Sequence, residues 1–301
     1  YMRFLQALLS LLILGSIVFV LARLTGNPVD LLLPADATEA DRQYMIHQLG
    51  LDRPYPIQFY EFITNALRGD LGKSIRFGRP ATELFMERLP NSLRLAGVAF
   101  LFAILAAIPL GVLAGSHRAT NIDSATRLFS VIGIAAPSFW VGLVLMDVFA
   151  VRLGVLPAAR MGGIDHYILP AFSLSFFVLA GMTRLLRSSV VENMDSEFVK
   201  LARIKGVSST MVIWKHVLRN SLIPVLTFAG MYLGLLLSGA IVIETVFAWP
   251  GVGRLAYEGI IFRDYPLVQS VVMIKGAMII GINLLVDILY SYVDPRIRYG
   301  S

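Results

Sequence analysis

Six apolar runs separated by polar stretches set the pattern of this chain, at residues 4–22, 93–115, 131–151, 168–186, 222–243 and 271–290. Each approaches the roughly 20 residues that a helix needs to cross a bilayer, so the pattern predicts an all-α, polytopic membrane protein with six transmembrane helices. The first run lies between Arg3 and Arg23. It lacks the shorter apolar core and small-residue cleavage site of a secretory signal peptide and reads as a retained helix. Pro109 should bend the second run and Pro137 lies inside the third. Residues 82–89 read as a short interfacial helix ended by Pro90.

Between the first two runs, residues 23–91 are mixed in character. A GNP turn at Gly26–Pro28 and Pro34 precede a helix that should start near Thr38, where Asp41 three residues on matches an N-cap arrangement. Tyr44, Ile46 and Leu49 give that helix a weak apolar face up to Gly50. Residues 57–67 repeat apolar positions at helical intervals, and Gly69, Gly72 and Gly78 break the segment beyond them. The region is too short for a catalytic domain with its own large core, so a small cap on the membrane helices is expected.

The longest polar interruption, residues 195–224, predicts two short helices around a glycine corner. Phe198, Leu201, Ala202 and Ile204 fall near helical spacing before Gly206. Ser208, Ser209 or Thr210 can cap a second helix carrying Met211, Ile213, Trp214, Val217 and Leu218. Lys200, Arg203, Lys205, Lys215 and Arg219 make this the most densely basic part of the chain. It is either a platform for another molecule or a pair of helices lying along the lipid surface. A second loop, between the last two runs, leads from Glu244 through a Pro-Gly turn at Pro250 and Gly251 to a short helix over 254–260.

Composition supports the membrane reading: 56% of residues are hydrophobic and 15% charged, against about 25% charged in soluble domains. The 26 basic and 20 acidic residues matter by position rather than by sum, and nucleic acid is not expected as a partner. If the N-terminus is cytoplasmic, Arg3, Arg118, Arg127, Arg184, Arg187, the basic platform, Arg296 and Arg298 all fall inside. The short outer loops then carry only Arg152, Arg160, Arg254 and Arg263, which places both termini in the cytoplasm. Asp147, Lys275 and Asp287 lie near the ends of apolar runs, as interfacial or snorkelling groups do. Gly111 and Gly115, and Gly230 and Gly234 continued by Ser238 and Gly239, have the spacing of close helix contacts. They could serve packing within the chain, a dimer surface or the lining of a path.

Candidate chemistry is sparse. The chain has no cysteine, and its four histidines form no HExxH-type pair. No GxxxxGK[ST] loop and no Ser, His and acid arrangement can be assembled. A catalytic role is therefore not expected, and any ATP must be bound by a partner. A secondary transporter or channel working without ATP is the alternative from another class, although the middle of each run lacks the carboxylate that ion coupling would favour.

The stretch LARIKGVSSTMVIWKHVLRNSLIPVLT is similar to the cytoplasmic signature loop of permease subunits of bacterial ABC importers, in the dipeptide, oligopeptide and nickel branch. The signature glycine matches Gly206, the small residue of its leading helix matches Ala202, and its trailing portion matches Arg219, Asn220 and Pro224. Lys200 stands where the general signature carries an acid, as is usual in the peptide branch. The resemblance continues in LGLDRPYPIQFYEFITNALRGDLGKSI, ERLPNSLRL, ETVFAWPGVGRL and YVDPRIRYG, while TGNP lacks the acidic residue often found after the glycine of the first outer turn. It implies a type I importer fold in a bacterial plasma membrane. The division would be a first helix over 1–22, an extracytoplasmic domain over 23–91, and a permease core over 92–301 with its coupling loop at 195–220. It implies a homologous second permease, two cytoplasmic ATPase subunits that bind ATP and Mg, and an extracytoplasmic solute-binding protein. Cargo would be dipeptides or oligopeptides, with nickel chelates or glutathione as alternatives. Coupling to the ATPases would use Ala202, Arg203, Ile204, Lys205, Gly206, Val207, Ser208 and Met211, supported by His216, Arg219, Asn220 and Pro224. Arg76, Arg79, Trp249 and Arg254 would face the binding protein.

Overall fold

Helices make up every long element of the computed structural model, which describes residues 2–24, 29, 33, 37–48 and 50–293. The Gly26–Pro28 turn, Pro34, Leu49, the C-terminal bases Arg296 and Arg298, and the side chains of Asp287, Ser238 and Gly239 lie outside that description. Contacts divide the chain into two compact units: Tyr1–Pro90 with Gly251–Ser301, and Asn91–Pro250.

In the second unit, the fourth helix among the described residues, α4 (Ala81–Ser116), enters at Asn91, followed by α5 (Asn121–Ala135) and α6 (Ser138–Leu145) with a π-helical turn at Met146–Arg152. Then come α7 (Asp165–Met194), α8 (Glu197–Ile204) and α9 (Leu218–Val246). The centre is α7, against which α5, α6 and α9 pack. Hydrocarbon does not drive one apolar helix onto another, so close backbone approach must do it, and the sequence supplies small residues at each contact. On α4, Ala99, Ala103, Ala107, Gly111 and Gly115 form one ridge at every fourth position, the three alanines wholly buried. A methyl group on Gly111 would lie 2.7 Å from Leu186, and one on Gly115 2.6 Å from Val190, so this glycine pair serves packing within the chain. Gly133 of α5 meets Ala180 of α7 as closely, and Gly181 of α7 receives the Phe228 ring of α9.

The first unit contains α1 (Met2–Leu24), α2 (Glu39–Gln48), α3 (Tyr55–Leu67), the opening turns of α4, α10 (Val252–Ile261) and α11 (Tyr265–Val293). Thr38 and Asp41 form the expected cap: the Thr38 hydroxyl and amide donate to Asp41 Oδ2 (2.6 and 3.0 Å), and the Asp41 amide donates back to Thr38 Oγ1 (3.3 Å). Those bonds hold the Asp41 carboxyl below its ordinary pKa. α1 lies against α11, with Gly276 under Leu14, and Phe19 stands edge-on to Phe59 of α3 at 5.3 Å. Ala81, Leu84 and Phe85 pack with Val252, Leu255, Ala256, Leu267 and Val271.

Three elements depart from the sequence expectation. Pro90 does not end a short helix, because α4 runs unbroken from Ala81 through both Pro90 and Pro109, with Phe85 and Leu95 each buried in a core on either side of Pro90. The third apolar run is not one rod: Ala136 is extended ahead of Pro137, and the helices on either side differ in direction by 109°. The second platform helix is not short, since Ser209–Met211, a π-helical turn at Val212–Val217 and α9 follow one another without interruption. Among the described residues, four helices are long and apolar enough to cross a membrane, or five spans if the bent pair counts as one, which leaves the expected count of six unconfirmed. The fifth apolar run of the sequence lies on α9, several of whose side chains are outside the description.

Gly133→Ala should therefore lower the melting temperature of the purified protein, because its methyl would sit 2.4 Å from the Ala180 methyl and overpacking costs about 1–3 kcal/mol. Gly97→Ala on α4, where nothing lies within 4 Å, should be neutral or stabilising in the same melt.

Candidate functional site

The glycine corner is built by a helix that ends itself. Ser196 precedes α8, Glu197 occupies the first turn and Arg203 the last, each sign suiting its end of the helix dipole. Lys200 pairs with Glu197 at 2.7 Å, and that bond holds the Lys200 ammonium above its ordinary pKa. At the far end the Gly206 amide donates to the Arg203 carbonyl (3.0 Å) and the Val207 amide to the Ala202 carbonyl (3.1 Å). This is a Schellman closure, and it needs a left-handed residue, which Gly206 supplies with φ +79°. The space around Gly206 is open, so what selects glycine is the backbone and not crowding.

Burial sorts the platform into two faces. Val199, Val212 and Val217 are buried against the core, and Ala202, Val207 and Ile213 pack partly into it. On the other side Leu201 is 54% exposed, Ile204 82%, Met211 51% and Trp214 45%. Around them Lys200, Arg203, Lys205, Lys215 and Arg219 are exposed, as is Ser208. An apolar patch ringed by cations, carried on a braced helix, is the form of a contact surface. Behind it, Asn193 of α7 donates to Ser221 Oγ (3.1 Å) and to the Ser189 carbonyl (2.8 Å), while Asn220 donates to the His216 carbonyl (3.1 Å). Pro224 brings no amide hydrogen to the Asn220 carbonyl one turn earlier.

The platform end of α7 carries a fastener that sequence reasoning missed. Arg187 grips Asp123 with two parallel bonds, Nε to Oδ1 and an outer nitrogen to Oδ2, both 2.9 Å, and the Asp123 side chain is 2% exposed. Oδ2 also accepts from the Ala119 amide at 3.1 Å, where Ala119 is held at φ +62°, and Arg118 pairs with Asp195 at 2.8 Å. The loop between α4 and α5 and the start of α5 are thus tied to the last turns of α7 through Arg187 and to the turn after it through Asp195. The Thr120-x-x-Asp123 capping pattern was the available signal.

The residues expected to face outward are placed unequally. Arg76 lies with its guanidinium carbon 3.2 Å from the Phe262 ring centre, Arg79 pairs with Glu83 (2.6 Å) and Glu87 (3.1 Å), and Arg254 pairs with Glu258 (3.0 Å). Trp249 is corrected: it is wholly buried and presents no surface. Its indole donates to the Asn91 carbonyl (3.0 Å) and stands edge-on to Tyr167 at 4.7 Å, so it holds the Glu244–Pro250 turn closed. Glu244, equally buried, accepts from Ser92 at 2.6 Å, and Asn91 donates to the Pro250 carbonyl. In the first unit, buried Asp264 accepts from the Ser74 hydroxyl and from the amides of Arg76 and Leu267, joining the loop before α4 to the start of α11. Asp147 lies in the π-helical turn and pairs with Arg152 at 2.8 Å. Among the described residues no group of three His, Asp or Glu could hold a metal ion.

The exposed glycine corner is carried by a fold of long apolar helices, and comparison with known proteins gives the class of protein. Residues 107–299 match the family model described as "Binding-protein-dependent transport system inner membrane component". The chain belongs to that family, as a non-catalytic permease subunit of an ABC importer in its peptide, nickel and glutathione branch. It is 37% identical over 306 residues to the oligopeptide transport system permease protein AppB of Bacillus subtilis, covering 97% of this chain and 95% of that one. It is 39% identical over 298 residues to the glutathione transport system permease protein GsiC of Salmonella choleraesuis, covering 99% and 97%. In fold it is similar to a crystal structure of an amino acid ABC transporter with histidines, with a TM-score of 0.54 and 17% identity over 69% of this chain and 93% of that one.

Asp123→Asn should lower stability by about 3 kcal/mol, since it leaves the Arg187 cation without its partner. Adding Arg187→Gln should restore part of the loss, which a denaturation double-mutant cycle reads directly.

Proposed function

We propose that this chain forms half of the translocation path of an ATP-driven importer, alongside a homologous second permease, two cytoplasmic ATPases and an extracytoplasmic binding protein. The observation that carries the reading is the exposed face of Leu201, Ile204, Met211 and Trp214 amid basic residues, because it gives a partner something to grip at the end of a long helix. On this reading residues 202–208 and Met211 dock in an ATPase groove, and His216, Arg219, Asn220 and Pro224 support them from the start of α9. Both termini and the platform are cytoplasmic, and ATP and Mg are bound by the partner subunits alone. The segment over 23–91 is an extracytoplasmic domain, and Arg76, Arg79 and Arg254 help it to meet the binding protein.

The cargo we favour is a short peptide, with glutathione, itself a tripeptide, ahead of longer oligopeptides. Support comes from the slightly greater identity to the glutathione permeases than to the oligopeptide permease. Uptake into vesicles holding the complete complex should be saturable for glutathione and poorly competed by pentapeptides; uptake of pentapeptides alone would overturn that choice.

Ile204→Asp and Leu201→Asp should leave folding intact, because both side chains are exposed, yet abolish transport and cargo-stimulated ATP hydrolysis in the reconstituted complex. Gly206→Val should impair both, while Gly206→Asn, tolerated in the left-handed region, should retain more activity. Unchanged coupling in the Asp variants would remove the platform from the mechanism.

A further inference from the structure

A cavity of about 480 Å³ opens in the first unit between α1, α10 and α11, within the size range of small-molecule sites. Its wall is largely apolar, formed by Val18 and Leu21 of α1, Ile260 of α10, and Val268 and Val272 of α11. Arg263, Tyr265 and Gln269 bring polar groups to that wall. Arg263 is exposed, with no ion-pair partner among the described residues, and its backbone is held in the left-handed region at φ +53°. Gln269 also lines the cavity, and its amide nitrogen is buried without an acceptor, an arrangement that in a native protein calls for an explanation.

Depth identifies the occupant. Arg263 lies two residues ahead of α11, whose residues 265–284 qualify as a membrane span, and Leu21 ends the qualifying stretch of α1. The cation therefore stands at the level where a span meets the headgroups, and the apolar wall extends from it into the hydrocarbon layer. α1 exposes Leu8, Leu12, Ile13 and Ile17 over the same length, so the surrounding solvent of this face is lipid. A single cation at the interface, a buried N–H donor and an apolar trough below them match one chemistry: a phosphate ester with a hydrocarbon tail.

We propose that this cavity binds one glycerophospholipid of the bilayer, with its phosphate on Arg263, an ester or phosphate oxygen accepting from Gln269, and an acyl chain along Val18, Val268 and Val272.

The test is native mass spectrometry of the whole importer complex, stripped of lipid in detergent and titrated with phosphatidylglycerol. One tightly retained lipid is expected on the wild-type complex. Arg263→Glu should weaken its retention about tenfold or more, the loss of one interfacial attraction and gain of one repulsion. Val272→Trp, at a partly exposed position on the wall, should weaken it by filling the trough. Excess inorganic phosphate should not displace it, because the tail supplies much of the binding; displacement would mean an anion site and overturn the proposal. Equal retention by wild type and both variants would also overturn it. So would quantitative crosslinking of Val272→Cys to the second permease, which would show the trough to be filled by protein.

Discussion

Everything in the second unit depends on how closely other helices can approach α7. In lipid the apolar surfaces of two helices have nothing to gain by leaving their surroundings, so the attraction must come from atoms packed at short range. Gly111 and Gly115 admit Leu186 and Val190, Gly133 admits Ala180, and Gly181 admits the Phe228 ring. A side chain at any of these places would separate two helix axes and forfeit many contacts at once. The result is a bundle whose centre is defined by absent side chains on both sides of one helix.

Polar fasteners then fix the ends of that bundle. Asp123 with Arg187 clamps one end of α7, and Glu244 with Ser92, together with the Trp249 indole on the Asn91 carbonyl, closes the turn after α9. Each carboxylate is buried yet bonded, which is the condition under which a charge or acid can be kept out of water. The placement also divides labour: the interior of the bundle is held by shape, its ends by specific donors and acceptors. For an importer permease that must rearrange while remaining intact, shape-based contacts can slide, whereas paired donors and acceptors keep register.

Local signals were legible in the sequence; remote ones were not. The cap at Thr38 and Asp41 and the glycine corner at Gly206 depend on residues within a turn or two of each other and could be read from spacing. The helical spacing of Phe198, Leu201 and Ile204, by contrast, marks the exposed side of α8, whose buried residue is Val199. The identical capping pattern at Thr120 and Asp123 went unread as a site because its meaning depends on Arg187, 64 positions away. Trp249 looked like surface because it lies in a Pro-Gly loop, and only the distant Asn91 and Tyr167 bury it. Prolines misled in both directions. Pro90 does not end the helix, since α4 continues through it, while Pro137, with an extended Ala136 before it, turns the chain by 109°.

The uninterrupted helix from Ser209 to Val246 has a directional consequence. Upstream, the chain joins α8 to α7 through the Asp195–Ser196 turn and to Ser209 through the hydrogen-bonded Gly206 corner, and α8 also packs against the π-helical turn. Downstream the helix continues to Val246, with a π-helical turn at Val212–Val217 and, at Pro224, one backbone hydrogen bond fewer. A load applied at Met211 would enter that continuous helix directly, whereas one applied at Ile204 would first have to cross the Gly206 corner. Neighbouring side chains on a single small platform would, in that case, act as throttle and bearing.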